Sequence, residues 1–398
     1  MNDRSVTPEG CIRLRLAIRA GAVCRVDLHA DRPRAAEQLF RDRPIEQVLR
    51  SLPLLFGVCA TAQGSAAVQA CEQALGLRID PGHRDARALL VDFESAREHL
   101  LRVLLDWHAA LGDTPHAPEL VSVARLNHGI STLLYPEGDG FHPGGGTLRV
   151  RTAALQERIE GLTEILERSV FGLRIPEWWK IAGSDALAGW AAGGSTVAAR
   201  LVHHIAAWGW SRLGQSDIPA LPATPAWELH ARFCGDAGFT SRPSWNDTPC
   251  ETGASTRQRH LPLVAALAAS HGNGLLTRTA ARLCELAVIH QRIVSMARNL
   301  NGRSIDAAPP APATAAGVGL AQVEAARGRL VHRVELEGPS VRRYQILAPT
   351  EWNFHPNGAV ARGLMGLPAD DRLEERVGLL IQSVDPCVGW RLEVVGHA

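Results

Sequence analysis

The sequence predicts an α+β chain, predominantly helical, with small antiparallel β hairpins near its N- and C-terminal ends. Three observations carry that prediction. Residues 11–30, "CIRLRLAIRAGAVCRVDLHA", alternate apolar and polar side chains on both sides of Gly21-Ala22, the period of a half-buried strand pair. Residues 329–337 and 341–349 alternate again around "EGPS". Between them, segments 63–76, 94–111, 151–171, 187–208, 260–270 and 276–299 place apolar residues three and four apart, the period of an amphipathic helix.

In chain order, the first hairpin leads into a helical stretch from about 35 to 300. Pro- and Gly-rich loops interrupt it, including "DGFHPGGG" at 139–146 and "SDIPALPATP" at 216–225. The low-complexity run "DAAPPAPATAAG" at 306–317 reads as an extended connection. The second hairpin follows, and a charged helix near 370–382 leads into "SVDPCVGW" at 383–390. The expected organisation is a single domain over 1–398. It comprises a β hairpin (1–30), a helical core (31–305), a loop (306–328), and a hairpin, helix and C-terminal cysteine motif (329–398).

Composition excludes several classes. At 46% hydrophobic and 21% charged the chain is an ordinary globular one, and a net charge of +1 gives no attraction to nucleic acid or an anionic membrane. Lys180 is the only lysine among 42 basic residues, a bias that reflects genome composition. The N-terminus has no apolar leader, and apolar runs such as "LAVI" at 286–289 are too short to span a bilayer. No two of the eight cysteines lie within three positions of each other. The expected location is therefore cytoplasmic, with reduced thiols and no sequence-local zinc site.

Four segments bear chemistry. In "LPLLFGVCATAQGSAAVQACEQALG" (52–76), Cys59 opens a helix of small residues. A thiol at a helix N-terminus favours the metal-binding thiolate; the plainer reading is a buried apolar cysteine. In "EAARGRLVHRVELEGPSVRRYQILAPTEWNFHP" (324–356), the hairpin brings Arg327 and the Pro349-Thr350 turn to one end of two strands. There a guanidinium and a hydroxyl can serve a small anionic ligand, although on this segment alone a surface arginine beside a Pro-Thr turn is the better reading. "SWNDTPCETGASTRQ" (244–258) reads as a helix N-terminus capped by Asp247 or Thr248, with Arg257 further on. "SVDPCVGW" looks like half of a Cys-x-x-Cys pair, with Cys387 present and Trp390 where the second thiol belongs.

Other features take structural readings. Cys11, Cys24, Cys234 and Cys284 are expected to be packing or incidental thiols. His203 and His204 lie about 100° apart on a helix and make no common ligand face. The tryptophans of "EWWK" and "AWGW" are expected in the core or at helix interfaces. "FHPGGG" lacks the GK[ST] of a phosphate loop.

Taken in order, these segments resemble the large subunit of nickel–iron hydrogenases. "LLFGVCATAQGSAAVQACEQALG" is similar to that family's R-x-C-G-x-C-T-x-x-H stretch, and "PCETGASTR" to its P-x-E-x-G-P-L-A-R. "EAARGRLVH…RRYQILAPTEWNFHP" is similar to E-A-P-R-G…N-Y-Q-x-V-x-P-T-T-W-N-x-x-P, and "SVDPCVGW" to the closing S-F-D-P-C-x-x-C. The resemblance covers roughly 45–80 and 244–398 and implies a hydrogenase large-subunit-like fold.

The departures are systematic. Phe56 stands for the first cysteine of the first pair and Trp390 for the second of the last, which leaves Cys59 and Cys387. The histidine after the first motif is read as Gly64, and the one after the last as Glu393. The family's early R-x-E-G-H has no counterpart. Nickel in such a site takes four sulfur donors, so the resemblance implies no nickel and no hydrogen activation. It implies instead a transient Fe(CN)₂(CO) fragment, formally neutral, held by the thiolates of Cys59 and Cys387 with its cyanides near Arg327, Pro349 and Thr350.

This trimmed pattern resembles the hydrogenase-like accessory proteins of the HupK/HoxV type, and so implies a non-catalytic maturation scaffold. Its expected partners are maturation chaperones, iron-fragment assembly factors and a hydrogenase large-subunit precursor. Phe56 and Trp390 would fill the vacated nickel half of the cavity. The competing readings are a structural subunit that kept the fold, a Cys59–Cys387 redox switch, and a divergent hydrogen sensor.

Overall fold

The computed structural model describes residues 10–31, 35–302 and 315–396. The chief elements in chain order are β1 (Cys11–Arg19), β2 (Ala22–Asp31), α1 (Ile45–Leu55), α2 (Ala60–Ala74), α3 (Pro81–Leu101), α4 (Thr152–Ile165), α5 (Ser184–Gly193), α6 (Val197–Ala207), α7 (Pro262–His271), α8 (Leu275–Gly302), β3 (Val318–Ala325), β4 (Gly328–Glu337), β5 (Ser340–Leu347), α9 (Pro349–Asn353), α10 (Leu373–Val384) and β6 (Gly389–Gly396). Shorter helical turns join them. Residues 318–325, read from sequence as part of a loop, form the strand β3. Most of the low-complexity run, up to Thr314, lies outside the described residues, as does the start of the chain at 1–9. Among the described residues no single helix is long and apolar enough to cross a membrane.

The chain divides into two compact units. The first is drawn from Met1–Gly76, Gly214–Gly253 and Ala311–Ala398, the second from Leu77–Leu213 and Ala254–Pro310. In the first unit, β1 and β2 form the expected antiparallel hairpin, with Leu14 opposite Leu28. Ala20 and Gly21 both have positive φ (51° and 74°), the backbone of a tight two-residue turn whose twist suits the strands. A third strand completes this sheet, because β6 pairs parallel to β1 with Ile12 opposite Trp390. Ile12, Leu14 and Leu16 of β1 face Leu373, Val377, Leu380, Ile381 and Val384 of α10 in one buried cluster. The helical spacing of those α10 residues makes the single apolar stripe that covers the sheet.

The second sheet of this unit, β3-β4-β5, is fully antiparallel and packs against α2. The small residues of α2 permit a very close approach. A Cβ at Gly319 would lie 1.8 Å from the Ala70 carbonyl oxygen, so only glycine fits there. The Gln73 side chain accepts from the Leu320 amide at 3.0 Å.

In the second unit, Asp80 caps α3 through the Gly82 amide, and α3 packs along α8. Asp92 pairs with Arg292 at 3.0 Å. The glycine-rich loop 139–146 is held by Arg87, whose guanidinium donates to the Gly140 and His142 carbonyls at 2.7 and 2.9 Å. Those bonds give the loop a packing role. Trp178 is buried and stacks on Phe171, as its segment predicted.

Candidate metal centre

Every residue singled out for the centre lies in the first unit. The antiparallel register of β4 and β5, with Val331 opposite Leu347, puts the start of β4 and the end of β5 side by side. Arg327 immediately precedes β4. Pro349 and Thr350 open α9 just after β5, with Pro349 in the first helical turn, where its missing N–H costs nothing. Arg327, Pro349 and Thr350 are all buried.

The "DPC" of the final motif meets both groups at that end. α10 stops at Asp385, a non-glycine residue in the left-handed region (φ 65°, ψ 85°), a backbone that costs about 1–2 kcal/mol. The turn points two side chains two residues apart at separate partners. Asp385 lies 3.3 Å from the Arg327 guanidinium, and the pair is 1% and 4% exposed. Cys387 Sγ lies 3.0 Å from the Thr350 hydroxyl.

A further layer fixes the Arg327 backbone. Asn353 donates to the Arg327 carbonyl at 3.2 Å and accepts from the Thr252 amide at 2.8 Å. Thr252 Oγ1 in turn accepts from the Arg329 amide. Between them, Gly328 sits at φ 129°, where a Cβ would lie 2.5 Å from Thr252. The "PCETG", "ARG" and "TEWN" segments are thus one hydrogen-bonded assembly. Reading the segments separately missed Thr252, Asn353 and Asp385; their signal is that each stands inside a quoted motif. Residues 245–248 differ from expectation. Asn246 and Asp247 have φ of 50° and 58°, and Trp245 and Thr248 bridge across them. The segment is a tight turn, and the helix begins only at Ala254. Arg257 pairs with Glu285 in the second unit.

Cys59 is the N-cap residue of α2, half-buried. Gln63, one turn on, donates to its sulfur at 3.6 Å. The far side of Gln63 meets His332 of β4 at 2.8 Å, and His332 meets Tyr344 of β5 at 2.7 Å. Burial alone lowers the His332 pKa from 6.5 to about 3. Between those values the unfolded chain takes up a proton that the folded chain refuses, so this histidine's contribution to stability falls as pH drops below 6.5. The slope is about 1.4 kcal/mol per pH unit. Asp92, raised by burial to about 7, has the opposite slope in the same range, so the useful quantity is a difference. In urea unfolding, the stability gap between wild type and His332→Gln is expected to shrink by ~2 kcal/mol from pH 7 to pH 5.

Comparison with known proteins places this geometry. Residues 245–390 match the family model for nickel-dependent hydrogenase. Hydrogenase expression/formation protein HoxV of Cupriavidus necator is 33% identical, over 95% of each chain. The chain belongs to the HoxV/HupK family of hydrogenase expression/formation proteins. HupK of Azotobacter vinelandii is 28% identical over 98% of this chain and 99% of its own. Among solved structures, the nickel–iron–selenium hydrogenase of D. vulgaris Hildenborough superposes with a TM-score of 0.67 at 18% identity, covering 93% of this chain and 94% of that one. It shows that the HoxV/HupK chain has the hydrogenase large-subunit fold.

One reading needs correction in this HoxV/HupK chain, and two other residues gain a definite setting. In C-T-x-x-H the histidine falls four residues after the second cysteine, at Gln63 and not at Gly64. Trp390 belongs to β6, opposite Ile12, and packs on the cluster that joins the first sheet to α10. Of the two readings offered for Cys234, packing or incidental, its exposure leaves the second; the Arg333 guanidinium lies 3.4 Å and His230 3.7 Å from its sulfur.

Proposed function

We propose that this chain is a non-catalytic scaffold of nickel–iron hydrogenase maturation that carries Fe(CN)₂(CO) between the thiolates of Cys59 and Cys387. The observation that carries the reading is the pairing of Cys387 with Thr350 and of Asp385 with Arg327 at one end of the β4–β5 hairpin. A sulfur donor, a hydroxyl and a guanidinium held by a buried carboxylate are the groups that an iron with two cyanides asks for. Two thiolates and three diatomic ligands make the iron five-coordinate, and the cargo brings the ligands that the protein lacks. With Phe56 and Trp390 at the other two thiolate positions, nickel has no four-sulfur set.

Loading removes a proton from each thiol, and transfer returns them. Hydrogen bonds from Arg327 and Thr350 to the cyanides are each worth about 1.5–3 kcal/mol. A site with two protein ligands holds its cargo without closing around it, which suits onward transfer to a large-subunit precursor. Maturation chaperones and iron-fragment assembly factors are the partners this role requires, and the cytoplasm is its setting. The test is infrared spectroscopy of protein isolated anaerobically from a host that makes the cyanide- and carbonyl-bearing iron group, with iron and nickel measured on the same sample.

A further inference from the structure

Tyr344, His332 and Gln63 stand in a line that ends on the sulfur of Cys59, and the chemistry of the groups fixes its direction. Tyr344 is 1% exposed, and among the described residues its hydroxyl has one hydrogen-bond partner, His332 Nδ1 at 2.7 Å. A buried phenol left without an acceptor is costly, so the O–H donates and Nδ1 accepts. His332 is fully buried and stays neutral at any ordinary pH. A neutral imidazole with Nδ1 accepting carries its proton on Nε2. That N–H faces the Gln63 side chain at 2.8 Å, and only the amide oxygen of Gln63 can accept it. The amide nitrogen is thereby turned the other way, toward Cys59 Sγ at 3.6 Å. Gln63 is itself 1% exposed and has no solvent to rescue a flipped amide.

We propose that Tyr344, His332 and Gln63 form a one-way hydrogen-bond relay that fixes an N–H on the Cys59 sulfur, making Gln63 the positioning residue of that thiolate ligand. An N–H donor favours sulfur as an acceptor, the state that binds metal, over sulfur as a thiol donor. The relay joins α2 to β4 and β5 across 269 residues of sequence, so Cys59 is oriented by the same hairpin that presents Arg327 and Thr350. This inference rests on the reading of Cys59 as a ligand of the iron cargo.

Two measurements separate the relay from that reading. The first needs no iron: nitrogen NMR of unloaded protein labelled with ¹⁵N-histidine, the His332 signals being identified by their loss in His332→Gln. A protonated Nε2 with a bare Nδ1 is expected; a proton on Nδ1 would reverse the amide and overturn the relay, whatever the cargo.

The second uses loaded protein. In Gln63→Leu the thiolate loses its donor and pushes more electron density onto iron, so the carbonyl band is expected at lower wavenumber, with iron retention against a chelator reduced about 10- to 100-fold. Tyr344→Phe keeps the ring against Phe40 (centroids 5.3 Å apart) and is expected to shift the band in the same direction. Bands identical to wild type in both variants overturn the positioning role. Absence of bands from wild type itself overturns the iron reading, and the nitrogen spectrum then decides the relay alone.

Discussion

Cys59→Ala and Cys387→Ala are each expected to abolish the cyanide and carbonyl infrared bands, while Cys71→Ala leaves them in place. The two proposed ligands come from opposite ends of the chain, one at the N-cap of α2 and the other after α10. Neither can substitute for the other. Loss of one thiolate leaves iron with a single protein bond, so the effect is close to complete and not graded. Cys71 makes the control demanding, because it lies on α2, the helix that Cys59 caps. It is wholly buried, and burial together with nearby Glu72 pushes its thiol up to about 12. A thiol that holds its proton so firmly is no ligand at neutral pH. Bands that survive in either single variant, with full iron content, would place the iron on other residues.

Arg327→Met is expected to cost about 3–5 kcal/mol of stability in urea unfolding, and to lose the cargo as well. The guanidinium and the Asp385 carboxylate are 4% and 1% exposed. Removing one member strands the other charge in a medium that cannot solvate it. That loss is a large share of the ~5–15 kcal/mol that holds a typical domain together. Arg327→Met with Asp385→Asn removes both charges, and asparagine tolerates the left-handed backbone at 385. The double variant is expected to regain most of the stability and none of the infrared bands. Recovery of the bands would mean that Arg327 contributes only by balancing Asp385. A double variant no more stable than Arg327→Met would mean that the buried charge is not the source of the loss.

The fold was legible where local pattern determines it. The 11–30 hairpin, the long helices and the β4–β5 hairpin all follow from periodicity and turn residues. The strand β6 was not, although "GWRLEVVG" alternates, because its partner β1 lies more than 370 residues away and nothing local announces a parallel pairing. The two units interleave separate stretches of chain, which no local pattern marks. Within the candidate centre, Cys59, Cys387, Arg327, Pro349 and Thr350 could be named from motifs. The Asp385–Arg327 pair and the Tyr344–His332–Gln63 line are tertiary facts, visible only when the hairpin, α2 and α10 are assembled. The packing of Trp390 on the cluster beneath α10 is likewise visible only once β6 is set beside β1.

The most direct measurement is infrared spectroscopy of the wild-type protein, purified without oxygen from cells whose iron-cyanide machinery is demonstrably working. Two cyanide bands and one carbonyl band are expected, with one iron and no nickel per chain. Protein without those bands, or with stoichiometric nickel, would contradict the iron-scaffold reading.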